Sequence, residues 1–132
     1  MKLLENILRF ERHYSKAVQL KDKDIADYLI YNTLAMDCFQ AVNALIEIGE
    51  ILVTKNKIGF PSTYREIFEL LFKEGFLTEE EFESAKRLVY LRNLISHEYY
   101  RISESELLEM VELLEKIKEF VERIKKQEGK NE

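Results

Sequence analysis

Three helix-initiation motifs constrain the fold of this chain more than any other feature of its sequence. In each motif a Thr or Ser is followed three residues later by a Glu: Thr63 with Glu66, Thr78 with Glu81, and Ser103 with Glu106. This spacing is typical of a capping box, in which a hydroxyl and a carboxylate satisfy backbone N–H groups that the first helical turn leaves unpaired. The motifs therefore predict helix starts near residues 63, 78 and 103.

Apolar residues recur at helical spacing in the remaining segments. They predict a first helix over residues 2–20, a long second helix over about 23–54, and a short third helix from residue 63 to 73, with a loop at 55–62 before it. The last helix, expected to reach about residue 126, carries a continuous heptad seam: Leu107, Met110, Leu114, Ile117, Val121 and Ile124. We therefore predict an all-α fold, an antiparallel bundle of four main helices plus one short helix.

The length of 132 residues fits one domain over residues 1–132, with a charged tail from about 126 to 132 that we expect to fray. No secretory signal and no bilayer-spanning apolar stretch is present in the sequence. The only cysteine, Cys38, cannot form an internal disulfide and lies in an apolar helical run, so it is interpreted as a buried thiol. These features predict a cytoplasmic protein that does not bind membranes.

Residues 92–99 bring three chemically capable side chains close together in sequence: Arg92, His97 and Tyr99. At about 100° per residue, Arg92 and Tyr99 lie within roughly 20° of each other around a helix, whereas Arg92 and His97 are about 140° apart. One regular helix therefore cannot direct Arg92 and His97 at the same atom. Either the end of the helix is distorted, or a second copy of the chain completes the site.

Several familiar sites are excluded by inspection. The stretch from His97 to Arg101 begins like a zinc-protease HExxH motif but has Arg in place of the second His. The sequence contains no Glu-x-x-His pair, Gly-rich phosphate loop, cysteine pair or GxSxG motif, so no metal and no cofactor are expected. The other histidine, His13, is interpreted as an exposed or half-buried structural residue.

Arg, His and Tyr without a metal are sufficient for RNA cleavage. A neutral imidazole can accept the proton of a ribose 2′-OH, and a guanidinium can bind the adjacent phosphate and stabilise the charge of the transition state. The net charge of −5 argues against broad nucleic-acid binding, but Lys86, Arg87 and Arg101 cluster around Arg92 and are candidate RNA-binding residues. From spacing alone, helix capping and surface hydrogen bonding remain an alternative role for the motif.

Residues 92–99 also resemble the Rx4HxY motif of HepT-like proteins in the HEPN superfamily. The similarity extends to residues 61–68, Leu71 and residues 75–77, and overall to residues 3–124. The resemblance implies a helical homodimer in which two motifs form a composite cleft, and a metal-independent endoribonuclease toxin. Arg92 and His97 would be the catalytic pair, and Asn93 the polar residue that follows the Arg.

The resemblance further implies a partner, a minimal (MNT-type) nucleotidyltransferase antitoxin that neutralises the toxin by adding AMP to Tyr99. The neighbouring phenol of Tyr100 remains a possible acceptor. Two other functions stay open: a non-catalytic helical subunit that regulates a nucleotidyltransferase, and a structural dimerisation module whose polar motif only lines the interface.

Overall fold

The computed structural model describes residues 2–97 and 102–130, and these fold into five helices. The helices are α1 (Lys2–Leu20), α2 (Tyr28–Asn56), α3 (Tyr64–Lys73), α4 (Glu79–His97) and α5 (Glu104–Lys130). The predicted all-α fold with four main helices and one short helix is confirmed.

The four long helices alternate in direction along the bundle. Arg9 bonds to Gln40 and His13 to Asp37, so residue numbers fall along α2 as they rise along α1. Lys21 with Glu115 and Lys125 with Glu11 relate α1 and α5 in the same antiparallel sense. The pairs Arg87–Glu109 and Glu81–Arg123 do the same for α4 and α5. The His13 pair, at 2.8 Å in a half-buried position, is consistent with the structural role predicted for this histidine.

The buried apolar side chains form one cluster to which every helix contributes. All six residues of the predicted α5 seam are buried, and the largest of their neighbours, Phe120, is fully enclosed. Cys38 is buried as predicted, and this burial, followed by the charge of Asp37, raises the pKa of its thiol. No helix in the described ranges combines the length and apolar character needed to cross a membrane.

The three capping boxes form as predicted. Glu66 N–H donates to Thr63 Oγ1 at 3.1 Å, Glu81 N–H to Thr78 Oγ1 at 3.1 Å, and Glu106 N–H to Ser103 Oγ at 3.1 Å. In each box the Glu carboxylate accepts a hydrogen bond from the capping residue's own N–H. These bonds fix the starts of α3, α4 and α5.

The predicted start of α2 at residue 23 is wrong. The helix begins at Tyr28, because Asp27 is its N-cap and accepts hydrogen bonds from Leu29 N–H at 2.9 Å and Ile30 N–H at 3.2 Å. Asp24 instead accepts from Ala26 N–H and closes a turn. Several Asp residues in this segment can cap a helix, and the sequence does not distinguish among them.

The predicted end of α5 near residue 126 is also wrong. The helix continues to Lys130, and Glu128 near its end forms an ion pair with Lys55 of α2 at 3.3 Å. Residues 126–130, part of the tail that we expect to fray, are helical in this structure.

Gly49 allows α3 to pack closely against α2. A Cβ at this position would lie 2.7 Å from Cγ2 of Ile67, closer than real Cβ contacts occur. Ile67 is 2% exposed and β-branched, so its methyl group has no free space to move into. The absence of a side chain at Gly49 therefore sets the distance between α2 and α3.

We predict that Gly49→Ala destabilises the protein despite the better helix propensity of Ala. Overpacking a closed core costs about 1–3 kcal/mol, whereas replacing Gly by Ala inside a helix gains only about 1 kcal/mol. Urea unfolding should show a lower free energy of unfolding for this variant. Gly129→Ala is the matched control, since a Cβ there meets nothing within 4 Å, and it should cause no loss. An unchanged or raised stability for Gly49→Ala would contradict the packing argument.

Candidate functional site

Four contacts from neighbouring side chains hold the guanidinium of Arg92 in place. Its Nε donates a hydrogen bond to Asn43 Oδ1 on α2 at 2.8 Å, and its Nη1 donates to the adjacent Asn93 Oδ1 at 3.0 Å. The guanidinium carbon lies 5.0 Å from the ring centroid of Phe39 and 5.3 Å from that of Tyr64. Two amides thus fix the edge of the guanidinium, and two rings approach within cation–π distance.

This arrangement leaves part of the guanidinium edge available. A guanidinium has five N–H donors, and two of those on Arg92 are used. The other three have no acceptor among the described residues. Donors on a planar, pre-oriented fork match the oxygens of a phosphate or carboxylate, so Arg92 is suited to bind an oxyanion.

Arg92 and Asn93 line a groove of about 1010 Å³ that lies between α2, α3 and α4. The wall opposite α4 is the segment from Pro61 to Arg65, which contains the N-terminus of α3. Glu66 braces this segment, because its Oε2 accepts hydrogen bonds from Ser62 N–H at 2.7 Å, Ser62 Oγ at 2.6 Å and Thr63 N–H at 3.0 Å. The bonds from Ser62, and then those from Thr63, lower the pKa of the Glu66 carboxyl.

Two other cations that line the groove, Arg87 and Lys86, have different binding partners. Arg87 makes a bidentate pair with Glu109 of α5, with Nε to Oε2 at 2.8 Å and Nη2 to Oε1 at 3.0 Å. Lys86 lies 3.1 Å from Glu83 and 4.5 Å from the ring of Phe82. Both residues, predicted to bind RNA, line the groove, but the Arg87 fork is directed at Glu109.

Two carboxylates also line the groove, Glu50 from α2 and Glu83 from α4. Burial, and then the neighbouring charge of Glu47, raises the pKa of Glu50. The groove is therefore basic at the Arg92 end and mixed in charge elsewhere. Within the described residues no three His, Cys, Asp or Glu side chains are grouped so as to hold a metal ion.

Helix α4 continues through His97. The backbone positions of Arg92 and His97 therefore remain about 140° apart around the helix axis. Tyr99, its alternative Tyr100, and Arg101 lie outside the described residues. The structure thus brings together Arg92, Asn93, Lys86 and Arg87, while the predictions for Tyr99 and Arg101 stay predictions.

The sequence reasoning missed two α2 residues of this site, Phe39 and Asn43. They are four residues apart and so share one helix face, and Glu50 follows on the same face. The amide of Asn43, within the otherwise apolar residues 41–46 of α2, was the available signal. Tyr64 belonged to the family-like segment 61–68, but nothing in its spacing indicated contact with Arg92.

The bundle has the fold of HEPN proteins. It is similar to a tri-AMPylated HEPN toxin from Shewanella oneidensis, solved in complex with an MNT antitoxin, with a TM-score of 0.85 and 22% identity over 94% of this chain and 96% of the other. It is also similar to YutE from Bacillus subtilis, a cytosolic protein of unknown function, with a TM-score of 0.81 and 18% identity over 96% and 90% of the two chains.

The sequence places the chain more narrowly within this class. A model of the ribonuclease HepT-like family matches residues 3–124, and the chain belongs to that family. The curated mRNA nuclease HepT of Shewanella oneidensis is 24% identical over 120 residues, which cover 90% of this chain and 87% of the relative. The resemblance inferred from residues 92–99 is confirmed.

We predict that Asn43 is needed to hold the Arg92 guanidinium. Losing one charge-assisted hydrogen bond costs about 1.5 kcal/mol or more. In Asn43→Ala we therefore expect Arg92 Nε–H to exchange with water roughly ten times faster, measured by ¹⁵N NMR of the guanidinium. Asn56→Ala is the control, because Asn56 donates only to Leu52 O on its own helix. Equal exchange rates in wild type and Asn43→Ala would show that Asn43 does not hold the group.

Proposed function

We propose that this single-domain protein is a metal-independent endoribonuclease toxin, acting in the cytoplasm and neutralised by a nucleotidyltransferase partner. The observation that carries this proposal is the pre-oriented guanidinium of Arg92 at the end of a groove, where three of its N–H donors have no acceptor among residues 2–97 and 102–130. Membership of the ribonuclease HepT-like family and similarity to a relative named as an mRNA nuclease support RNA as the substrate.

In the proposed reaction His97 is the general base and Arg92 binds the phosphate. The imidazole of His97 takes the proton of a ribose 2′-OH, whose oxygen then attacks the adjacent phosphorus. The 5′-oxygen leaves and takes up a proton, so the products carry a 2′,3′-cyclic phosphate and a 5′-hydroxyl. Arg92 stabilises the additional charge on the phosphoryl oxygens in the transition state. Asn93 accepts a hydrogen bond from Arg92 Nη1 through its Oδ1, and this bond helps to keep the guanidinium in its orientation.

The geometry of α4 supports a site shared by two copies of the chain. Helix α4 is continuous from Glu79 to His97, which favours a second copy of the chain, rather than a distorted helix end, as the way to complete the site. With the two positions about 140° apart, Arg92 of one protomer and His97 of its partner can act on one phosphodiester more easily than the pair from one helix. We therefore propose a homodimer with a composite cleft.

Control by an MNT-type antitoxin follows from the same electrostatics. An AMP group on Tyr99 would place a negative phosphate and a bulky base two residues beyond His97. That charge would compete for the Arg92 donors and repel an incoming RNA backbone. Support comes from the similar HEPN toxin of Shewanella oneidensis, which was solved tri-AMPylated and bound to its MNT antitoxin.

We predict that unmodified protein cleaves RNA in the presence of EDTA and that Arg92 and His97 are both required. Removing a general base typically lowers the rate by about 10²–10⁴-fold, and removing a preorganised charge-stabilising donor by about 10²–10³-fold. Cleavage by His97→Ala and Arg92→Ala should fall by these factors, measured on labelled RNA with detection of the cyclic phosphate. Arg12→Ala removes an exposed cation of α1 and should leave cleavage unchanged.

Two outcomes would overturn this proposal. RNA that stays intact with verified unmodified protein would favour a non-catalytic subunit that regulates the nucleotidyltransferase. Wild-type behaviour of both substitutions, in cleavage and in growth arrest, would favour a purely structural dimerisation module.

We predict that co-expression with the cognate nucleotidyltransferase adds AMP to Tyr99. Intact-mass measurement should show increments of AMP only when the partner and ATP are present, and modified protein should no longer cut RNA. Tyr99→Phe should lose the increment and stay active beside the partner, whereas Tyr100→Phe should still be modified. Modification that persists in Tyr99→Phe and disappears in Tyr100→Phe would reassign the acceptor.

A further inference from the structure

Two exposed tyrosines line the groove that begins at Arg92. Tyr64, at the N-terminus of α3, is 41% exposed, and Tyr90, on α4, is 52% exposed. Aromatic side chains that line a concave site supply much of the contact area for a ligand. Both residues line the same cavity, so one ligand can contact both.

A guanidinium lies against each ring. Arg92 is 5.3 Å from the centroid of Tyr64, and Arg87 is 5.1 Å from that of Tyr90. Because Glu109 holds Nε and Nη2 of Arg87, that cation is fixed beside Tyr90 and its fork is not directed at a phosphate. The pair Arg87–Glu109 thus gives Tyr90 a rigid support, which lowers the entropy cost of binding to its ring.

The carboxylates of the groove discriminate between the parts of a nucleotide. Glu50 and Glu83 would repel a phosphate, but a carboxylate accepts hydrogen bonds from the amino groups of bases. On α2, Glu50 lies seven residues from Asn43, or about 10 Å along the helix. A strand whose phosphate is bound by Arg92 can therefore extend its bases, and not its backbone, toward Glu50.

We propose that this groove is a binding site for unpaired nucleobases, which stack on Tyr90 and Tyr64 beside the phosphate held by Arg92. The inference rests on the proposed function, since it takes RNA as the ligand of Arg92. A volume of about 1010 Å³ is large enough for more than one base. Stacking requires the base to be out of a duplex, so the substrate is single-stranded at these positions.

The decisive residue is Tyr90, because Tyr64 also holds Arg92. Binding of a labelled single-stranded RNA is measured by fluorescence anisotropy in a His97→Ala background, so that no cleavage interferes. Loss of one aromatic stacking partner typically weakens binding by about ten-fold or more. We expect that loss for Tyr90→Ala, a change within about two-fold for Tyr90→Phe, and no dependence on Tyr90 with the same sequence as a duplex.

A second test removes one base at a time from the oligonucleotide and asks whether the effect depends on Tyr90. At one position, removing the base should weaken binding to protein carrying Tyr90 and should have no effect on Tyr90→Ala, because the two changes remove the same contact. Leu8→Ala is the control, since Leu8 is 49% exposed on α1 and does not line the groove. Thermal unfolding of each variant should match the wild type, as Tyr90 lies outside the buried core.

Three results would overturn the inference: equal affinity of Tyr90→Ala and its parent, a loss in Tyr90→Phe as large as in Tyr90→Ala, or additive effects at every abasic position. Weaker binding of Tyr90→Ala to the nucleotidyltransferase, with RNA affinity unchanged, would assign the groove to that protein instead. Failure of the proposed function is separate, because it appears as intact RNA with wild-type protein whatever the binding of the variants.

Discussion

The contact between Arg92 of α4 and Asn43 of α2 is the interaction on which the site depends. It joins the two antiparallel helices at the point where the groove opens, and it determines which donors of the guanidinium remain available. A lysine at this position would carry the same charge without a planar fork that two amides can hold. The rings of Phe39 and Tyr64 complete the arrangement, so the orientation of the cation is set by the fold before any ligand arrives.

Much of the fold was predictable because its determinants are local. A capping box is complete within four residues, and the α5 seam follows from one helical period, so both were readable without knowledge of any neighbour. The start of α2 was not, because several Asp residues compete to cap it and only the tertiary path of the chain selects Asp27. Near the end of α5, Glu128 likewise meets a residue that is distant in sequence, Lys55 of α2.

The site was predictable only in part, for the same reason. The motif at residues 92–99 identified Arg92 and Asn93, but Asn43 is 49 positions away in sequence and meets Arg92 only because α2 and α4 pack together. Arg87, which the sequence offered as a candidate RNA-binding residue, lines the groove, but its pairing with Glu109 depends on the packing of α4 against α5. Charge counting alone would treat Arg87 and Arg92 as equivalent. In the described part of the chain, however, the Arg87 fork is paired with a carboxylate and the Arg92 fork is not.

The close approach at Gly49 has a consequence for recognition as well as for packing. Ile67, the side chain that Gly49 admits, is also part of the groove wall, and it is carried by the helix whose first residues form the rim. A bulkier residue at position 49 would push that helix outward and widen the opening. The size of molecule that the groove accepts is therefore limited by Gly49, a residue that does not itself line the groove.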